Sequence, residues 1–121
     1  MRKVVVLGAS PNEQRYSNQA VIRFKQKGYK VLPIGIKNGV IDGVDIITDL
    51  NQIENESVDL ISLYISPKNQ EEWIDVIINL RPQKVIFNPE TENQELVQKL
   101  KAKGIESEYA CSLVLLSTGL L

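Results

Sequence analysis

Short apolar runs alternate with amphipathic segments along the whole chain. The runs hold consecutive apolar and β-branched residues, as in Val4-Val5-Val6-Leu7, and runs without alternation favour strands covered on both faces. The segments between them carry apolar residues at helical spacing. The predicted strands cover residues 4–7, 29–34, 45–48, 58–65, 84–87 and 105–109. The predicted helices cover 17–27, 66–80 and 92–103, with at most a helical turn over 50–54 and a short helix or turn over 111–121.

This alternation of strands and helices predicts an α/β fold. We expect a Rossmann-like doubly wound parallel sheet in three layers, with residues 1–121 forming a single domain and the six strands in the order 3-2-1-4-5-6. A ligand crevice then lies at the carboxyl ends of the first and fourth strands, where the strand order reverses.

The segment 4–17 is the most informative stretch for function. It is predicted to run from a buried strand through a glycine turn at Gly8 into a polar loop, with Ser17 as the N-cap of the first helix. A strand that leads through a glycine into a helix N-terminus is typical of a phosphate site. The loop has only one of the three glycines of the dinucleotide motif, and the same arrangement occurs in α/β proteins that bind nothing there.

Composition narrows the possible functions. The net charge of −1 and the isoelectric point near 5.5 argue against a nucleic-acid-binding surface. The chain has no histidine, which excludes Ser-His-Asp chemistry, histidine metal ligands and phosphohistidine. The single cysteine, Cys111, excludes an intramolecular disulfide and fits a reducing compartment. The first apolar run is too short for a signal peptide and no stretch could cross a membrane, so we expect a cytoplasmic protein and, as a base rate, a homodimer.

The loop after the second predicted strand indicates which nucleotide would fit. Enzymes that use nicotinamide dinucleotides place an acid there to hold the ribose hydroxyls, whereas the first charged residue here is Lys37. A cation favours a phosphorylated ribose, as in coenzyme A with its 3′-phosphate or in a phosphorylated dinucleotide. Arg15 offers a second cation to phosphate oxygens. Either side chain could instead be an ordinary solvated surface charge.

Several short motifs follow one another in an order typical of one family. They are 5–10 with Arg15 and Ser17, 28–33, 35–39, Val58-Asp59, Asn93, Gly104-Ile105 and Cys111. In this series the chain resembles the stand-alone coenzyme-A-binding domain proteins, which are similar to the nucleotide-binding half of the succinyl-CoA synthetase alpha subunit. The resemblance covers nearly the whole chain and implies coenzyme A as ligand, with a lysine of segment 35–39 against the coenzyme.

The chain departs from that family pattern at two places. It has Ile34-Gly35-Ile36 where the family often has Val-Asn-Pro. It has two acids and no glycine in segment 88–92, where the family usually has a glycine turn that faces the cleft. Those acids would repel phosphate if they faced the cleft.

The resemblance implies a coenzyme A or acyl-CoA binding protein that is not an enzyme. The related synthetases use a phosphorylated histidine and further domains, and we expect neither in this chain. The alternatives are an NAD(P)(H)-binding redox-sensing module and an interaction subunit whose crevice is empty. No metal site is predicted. Cys111 is either a partner for the coenzyme thiol in a mixed disulfide or a small buried hydrophobe. The predicted ligand-binding residues are Gly8, Ala9, Ser10, Arg15, Ser17, Lys37, Ser66 and Pro67.

Overall fold

A five-stranded parallel sheet forms the centre of the protein. The computed structural model describes residues 1–53 and 55–121. The sheet has the order β2-β1-β5-β6-β7, and a two-stranded antiparallel hairpin, β3-β4, lies outside it. The strands are β1 (Lys3–Leu7), β2 (Lys30–Ile34), β3 (Val40–Ile41), β4 (Val44–Asp45), β5 (Leu60–Leu63), β6 (Lys84–Phe87) and β7 (Glu106–Tyr109).

Helices follow the strands as the sequence predicts. They are α1 (Tyr16–Gln26), α2 (Ile74–Asn79), α3 (Gln94–Ala102) and α4 (Ser112–Ser117), with short 3-10 helices at Leu50–Ile53, Pro67–Asn69 and Glu71–Trp73. The segment 66–80 is therefore two 3-10 turns and a short α-helix, where one helix was predicted. The helical turn predicted over 50–54 is present from Leu50 to Ile53, and Glu54 lies outside the described residues. No helix among the described residues is long and apolar enough to span a bilayer.

The strand side chains alternate between two apolar clusters, one on each face of the sheet. Val5 and Leu7 belong to a cluster with Ile77 of α2 and Leu96 of α3. Val4 and Val6 of β1 belong to the other cluster, together with Phe24 of α1 and Leu116 of α4. All four side chains at 4–7 are fully buried, which explains why this strand shows no polar alternation. The three-layered, Rossmann-like α/β fold is confirmed.

The predicted order of six strands is wrong at one edge of the sheet, where the third predicted strand, 45–48, is not formed. Within the segment 45–48 only Ile47 reaches the sheet, through a single parallel bridge to Ile34 at the edge of β2. The Ile47 amide donates to the carbonyl of Pro33 at 2.8 Å, and the Gly35 amide donates to the carbonyl of Ile47 at 3.1 Å. The chain thus reaches the predicted position without forming a strand there.

A tight hairpin turn is the physical reason. Asp42 and Gly43 both have positive φ, +49° and +80°, and they link β3 to β4 with Ile41 opposite Val44. Two central residues with positive φ are the signature of the type I′ turn, for which Asp-Gly is a preferred sequence. The hairpin therefore takes Asp45, the first residue of the predicted strand, into β4, and of the residues that follow only Ile47 pairs with β2.

Candidate functional site

A large cleft opens at the carboxyl edge of the sheet. Its volume is about 760 Å³, within the range of roughly 300–1,000 Å³ that is usual for small-molecule sites. The loops after β1, β2, β5 and β6 line it, through residues 8–11, 15–17, 35–37, 64–66, 69, 72, 73 and 89–91. The cleft thus spans the boundary between β1 and β5, where successive crossovers leave in opposite directions and where ligands bind in open α/β sheets.

The structure brings together all but one of the residues predicted from the sequence to bind ligand. Those that line the cleft are Gly8, Ala9, Ser10, Arg15, Ser17, Lys37 and Ser66. Pro67 does not line it. Pro67 begins a 3-10 turn and borders a separate, shallow pocket of about 90 Å³. Direct contact of the seven residues with a ligand stays a prediction.

The glycine turn after β1 is held by the neighbouring strand. Gly8 has a φ of +98°, and the amides of Gly8 and Ala9 both donate to the carbonyl of Ile34, each at 2.9 Å. A Cβ on Gly8 would lie 3.1 Å from the Tyr64 carbonyl carbon and 3.1 Å from the Ile65 side chain. Gly8 is therefore required by the fold itself, and its amide and that of Ala9 are already used within the protein.

The loop that follows is stabilised by its own polar side chains. The Ser10 hydroxyl accepts a hydrogen bond from the Asn12 amide at 3.1 Å, and the Asn12 side chain accepts one from the Gln14 amide at 2.9 Å. The buried Asn18 side chain donates to the Ser10 carbonyl at 2.9 Å. These bonds give the loop a defined shape without a second glycine.

The prediction that Ser17 caps the first helix is wrong. Helix α1 begins at Tyr16, and Arg15 is the N-cap residue, with extended backbone and no capping hydrogen bond from its side chain. Within the described residues, the amides of Tyr16 and Ser17 have no acceptor, and the first turn of α1 contains no acidic residue. The N-terminus of an 11-residue helix thus faces the cleft with free donors and uncompensated positive dipole.

Close contact between two loops explains the glycine after β2. Gly35 is buried, and a Cβ at this position would collide with the carbonyl oxygen of Ala9. The contact directs the chain so that the next two residues, Ile36 and Lys37, line the cleft and are exposed. Lys37 and Arg15 form no ion pair with another residue of the described chain, and both remain available to an anionic ligand.

A tight turn after β6 forms the opposite wall. Pro89 and Glu90 are the central residues of a turn that is closed by the Thr91 amide donating to the Asn88 carbonyl at 3.0 Å. Glu90 has a φ of +76°, which a type II turn requires at this position and which glycine adopts most readily. Glu90 lines the cleft, whereas Glu92 does not. Only one of the two acids in this segment therefore faces the site.

Buried amide side chains fix that turn to the sheet. The Asn88 side chain donates to the Leu63 carbonyl at 2.9 Å and to the Ser62 hydroxyl at 3.0 Å, and it accepts from the Ser112 amide at 2.8 Å. Asn88 is 1% exposed, so these bonds have no competition from water. The side chain thus joins the ends of β5 and β6 to the start of α4.

Gln70 supplies a second anchor. Its side chain is fully buried and donates to the carbonyls of Ile65 and Thr91 at 2.8 and 2.7 Å, while it accepts from the Asn93 side chain at 2.9 Å. Two cleft-lining loops are therefore bonded to each other through one amide group. Neither anchor was predicted from the sequence, in which the signal for Asn88 was an amide directly after an apolar strand.

Tyr64 and Trp73 are partly buried and also line the cleft. The hydroxyl of Tyr64 is buried and has no hydrogen-bond partner among the described residues. Burial raises the pKa of Tyr64 to about 12, so its hydroxyl is protonated at neutral pH.

Cys111 follows β7 at the same edge of the sheet, but it is not among the cleft-lining residues. It is half-buried and occupies the N-cap position of α4. Its reaction with a coenzyme thiol stays a prediction.

The fold and the cleft define a Rossmann-like domain with a site of cofactor size at its topological switch point. Residues 2–117 match the CoA binding domain family. This chain therefore belongs to the CoA binding domain family, as the motif series indicated.

Solved structures share this fold. An uncharacterized protein known from a crystal structure is 42% identical, with a TM-score of 0.94, over 100% of this chain and 98% of its own. A Thermus thermophilus protein, cell-free ID.343, is 23% identical, with a TM-score of 0.85 over 99% of this chain and 90% of its own. A hypothetical protein from Pyrococcus horikoshii OT3 is also 23% identical, with a TM-score of 0.86 over 99% and 84% of the two chains. The last two show the fold alone. No curated protein matches.

Proposed function

We propose that this protein binds coenzyme A or an acyl-CoA in the cleft between β1 and β5 and does not catalyse a reaction on it. The observation that carries the proposal is the set of free donors at the start of α1, beside Arg15 and Lys37, in a chain of the CoA binding domain family. Coenzyme A is a polyanion with a diphosphate and a 3′-phosphate. A helix N-terminus with unsatisfied amides and two nearby cations is suited to such groups.

The residues of the cleft divide this task between two loops. The amides of Tyr16 and Ser17, with the Arg15 guanidinium, would hold the diphosphate. Lys37 would hold the 3′-phosphate, because it stands where dinucleotide enzymes keep an acid for an unphosphorylated ribose. The same cation argues against an NAD(H) sensor. The absence of histidine from the chain supports the non-catalytic part of the proposal.

The test is calorimetric titration of the protein with coenzyme A, dephospho-coenzyme A and NAD⁺. We expect coenzyme A to bind most tightly. Lys37→Glu should weaken coenzyme A by about 1.5–3 kcal/mol, the usual worth of a hydrogen bond to a charged group, and should weaken dephospho-coenzyme A much less.

Lys101→Glu is the matched control, because it changes the net charge equally on an exposed position of α3 away from the cleft. No binding of coenzyme A to the wild-type protein would refute the proposed function. Equal losses for both ligands in Lys37→Glu would refute the assignment of Lys37 to the 3′-phosphate.

A further inference from the structure

The charged residues of the cleft are segregated along the sheet. Lys37 follows β2 and Arg15 follows β1, whereas Glu72 follows β5 and Glu90 follows β6. The strand order β2-β1-β5-β6 therefore places both cations in one half of the cleft and both acids in the other. Lys68, on the same loop as Glu72, does not line the cleft.

The two acids are not neutralised by the protein. Neither Glu72 nor Glu90 forms an ion pair with any residue in the described part of the chain, and both side chains are exposed at the cleft. A ligand that reaches this half of the cleft thus meets two unpaired carboxylates.

Glu90 is presented by a rigid element. Its left-handed backbone, φ +76°, is unfavourable for a residue with a Cβ, and the closing bonds from Thr91 to Asn88 at 3.0 and 2.7 Å hold it there. The buried side chains of Asn88 and Gln70 tie both ends of the turn to the neighbouring loops. The backbone of Glu90 cannot move away from the cleft without disrupting this buried network.

We infer that this acidic half of the cleft selects the acyl group, excluding coenzyme A thioesters whose acyl chain carries a carboxylate and admitting thioesters with an uncharged acyl chain. The inference rests on the proposed function. If the phosphates occupy the cationic half, the pantetheine arm leads the thioester towards Glu72 and Glu90. Like charges brought together in a site disfavour the wrong ligand, and this repulsion is a means of discrimination independent of size.

The experiment compares coenzyme A, acetyl-CoA and succinyl-CoA by calorimetry at low ionic strength. We expect wild-type protein to bind acetyl-CoA at least about tenfold more tightly than succinyl-CoA, a difference of about 1.4 kcal/mol. In Glu90→Gln the ratio should fall to threefold or less. Glu90→Gly should behave in the same way, and it keeps the turn because glycine favours this backbone.

Two controls separate charge at the cleft from charge in general. Glu92→Gln removes an exposed acid that lies near Glu90 in the chain and does not line the cleft. Glu71→Gln likewise removes an exposed acid next to Glu72 that does not line the cleft. Both should keep the wild-type ratio. Salt should reduce the ratio in wild type, because it screens the repulsion at exposed carboxylates.

The outcomes distinguish this inference from the proposed function. Failure of coenzyme A itself to bind would refute the proposed function. Binding of coenzyme A with equal affinities for acetyl-CoA and succinyl-CoA would overturn only the present inference. A wild-type preference that persists in both Glu90 variants would also overturn it, since the discrimination would then be steric.

Discussion

The buried Asn88 side chain offers the sharpest test of how the cleft is held together. In Asn88→Ala the fully buried Ser112 amide loses the Asn88 side-chain oxygen, its acceptor at 2.8 Å among the described residues. An unsatisfied buried amide costs about 1–3 kcal/mol. The other two partners of the side chain lose less. The Leu63 carbonyl still accepts from the backbone amide of residue 88 at 3.4 Å, and the Ser62 hydroxyl still bonds to the Ser112 hydroxyl at 2.8 Å. With a small cavity added, we expect a total loss of about 2–4 kcal/mol.

Urea unfolding followed by circular dichroism measures this loss as a change in the free energy of unfolding. Asn79→Ala is the matched control, because Asn79 is exposed at the end of α2 and makes no side-chain hydrogen bond within the described chain. It should change stability by less than about 0.5 kcal/mol. An equally small effect in Asn88→Ala would refute the reasoning.

The isosteric change Asn88→Asp tests the direction of the hydrogen bonds. The new carboxylate could still accept from Ser112, but it would place an oxygen against the Leu63 carbonyl, to which the amide now donates. We therefore expect a larger loss than in Asn88→Ala at neutral pH, with partial recovery in acid as the carboxyl becomes protonated. A stability of Asn88→Asp independent of pH would contradict this.

Two further predictions follow from close packing and from burial. Gly35→Ala should lower the free energy of unfolding by about 1–3 kcal/mol, because the new methyl collides with the Ala9 carbonyl; an unchanged melting temperature would contradict the close loop contact. The raised pKa of Tyr64, about 12, means that the native state keeps a proton that the unfolded chain loses above pH 10. Stability should therefore fall as the pH rises from about 10 to 12, and this fall should be smaller in Tyr64→Phe, as measured by urea unfolding across that range. The same fall in both proteins would refute the assignment.

The architecture could be predicted from the sequence because the patterns that identify strands and helices are set by neighbouring residues. The all-apolar run at 4–7 requires cover on both faces, and the structure places helices on each side of β1. The hairpin at 40–45 was missed although its Asp42-Gly43 signal was present, because the apolar residues after it were read as a parallel strand. Helix α1 begins at Tyr16, one residue before its predicted N-cap, with Arg15 at the N-cap position and no capping side chain.

The sequence by itself determined the layers of the fold, the edge at which a site can form and most of the residues that line it. Carboxyl ends of parallel strands meet at one edge, so residues that follow strands come together there whatever the details of packing. Tertiary structure alone decided which groups are free to act. The amides of Gly8 and Ala9 are taken by Ile34, a partner that exists only once β2 lies beside β1. The turn at Asn88 likewise decides that Glu90, and not Glu92, faces the cleft, because its φ is set by anchors distant in the chain.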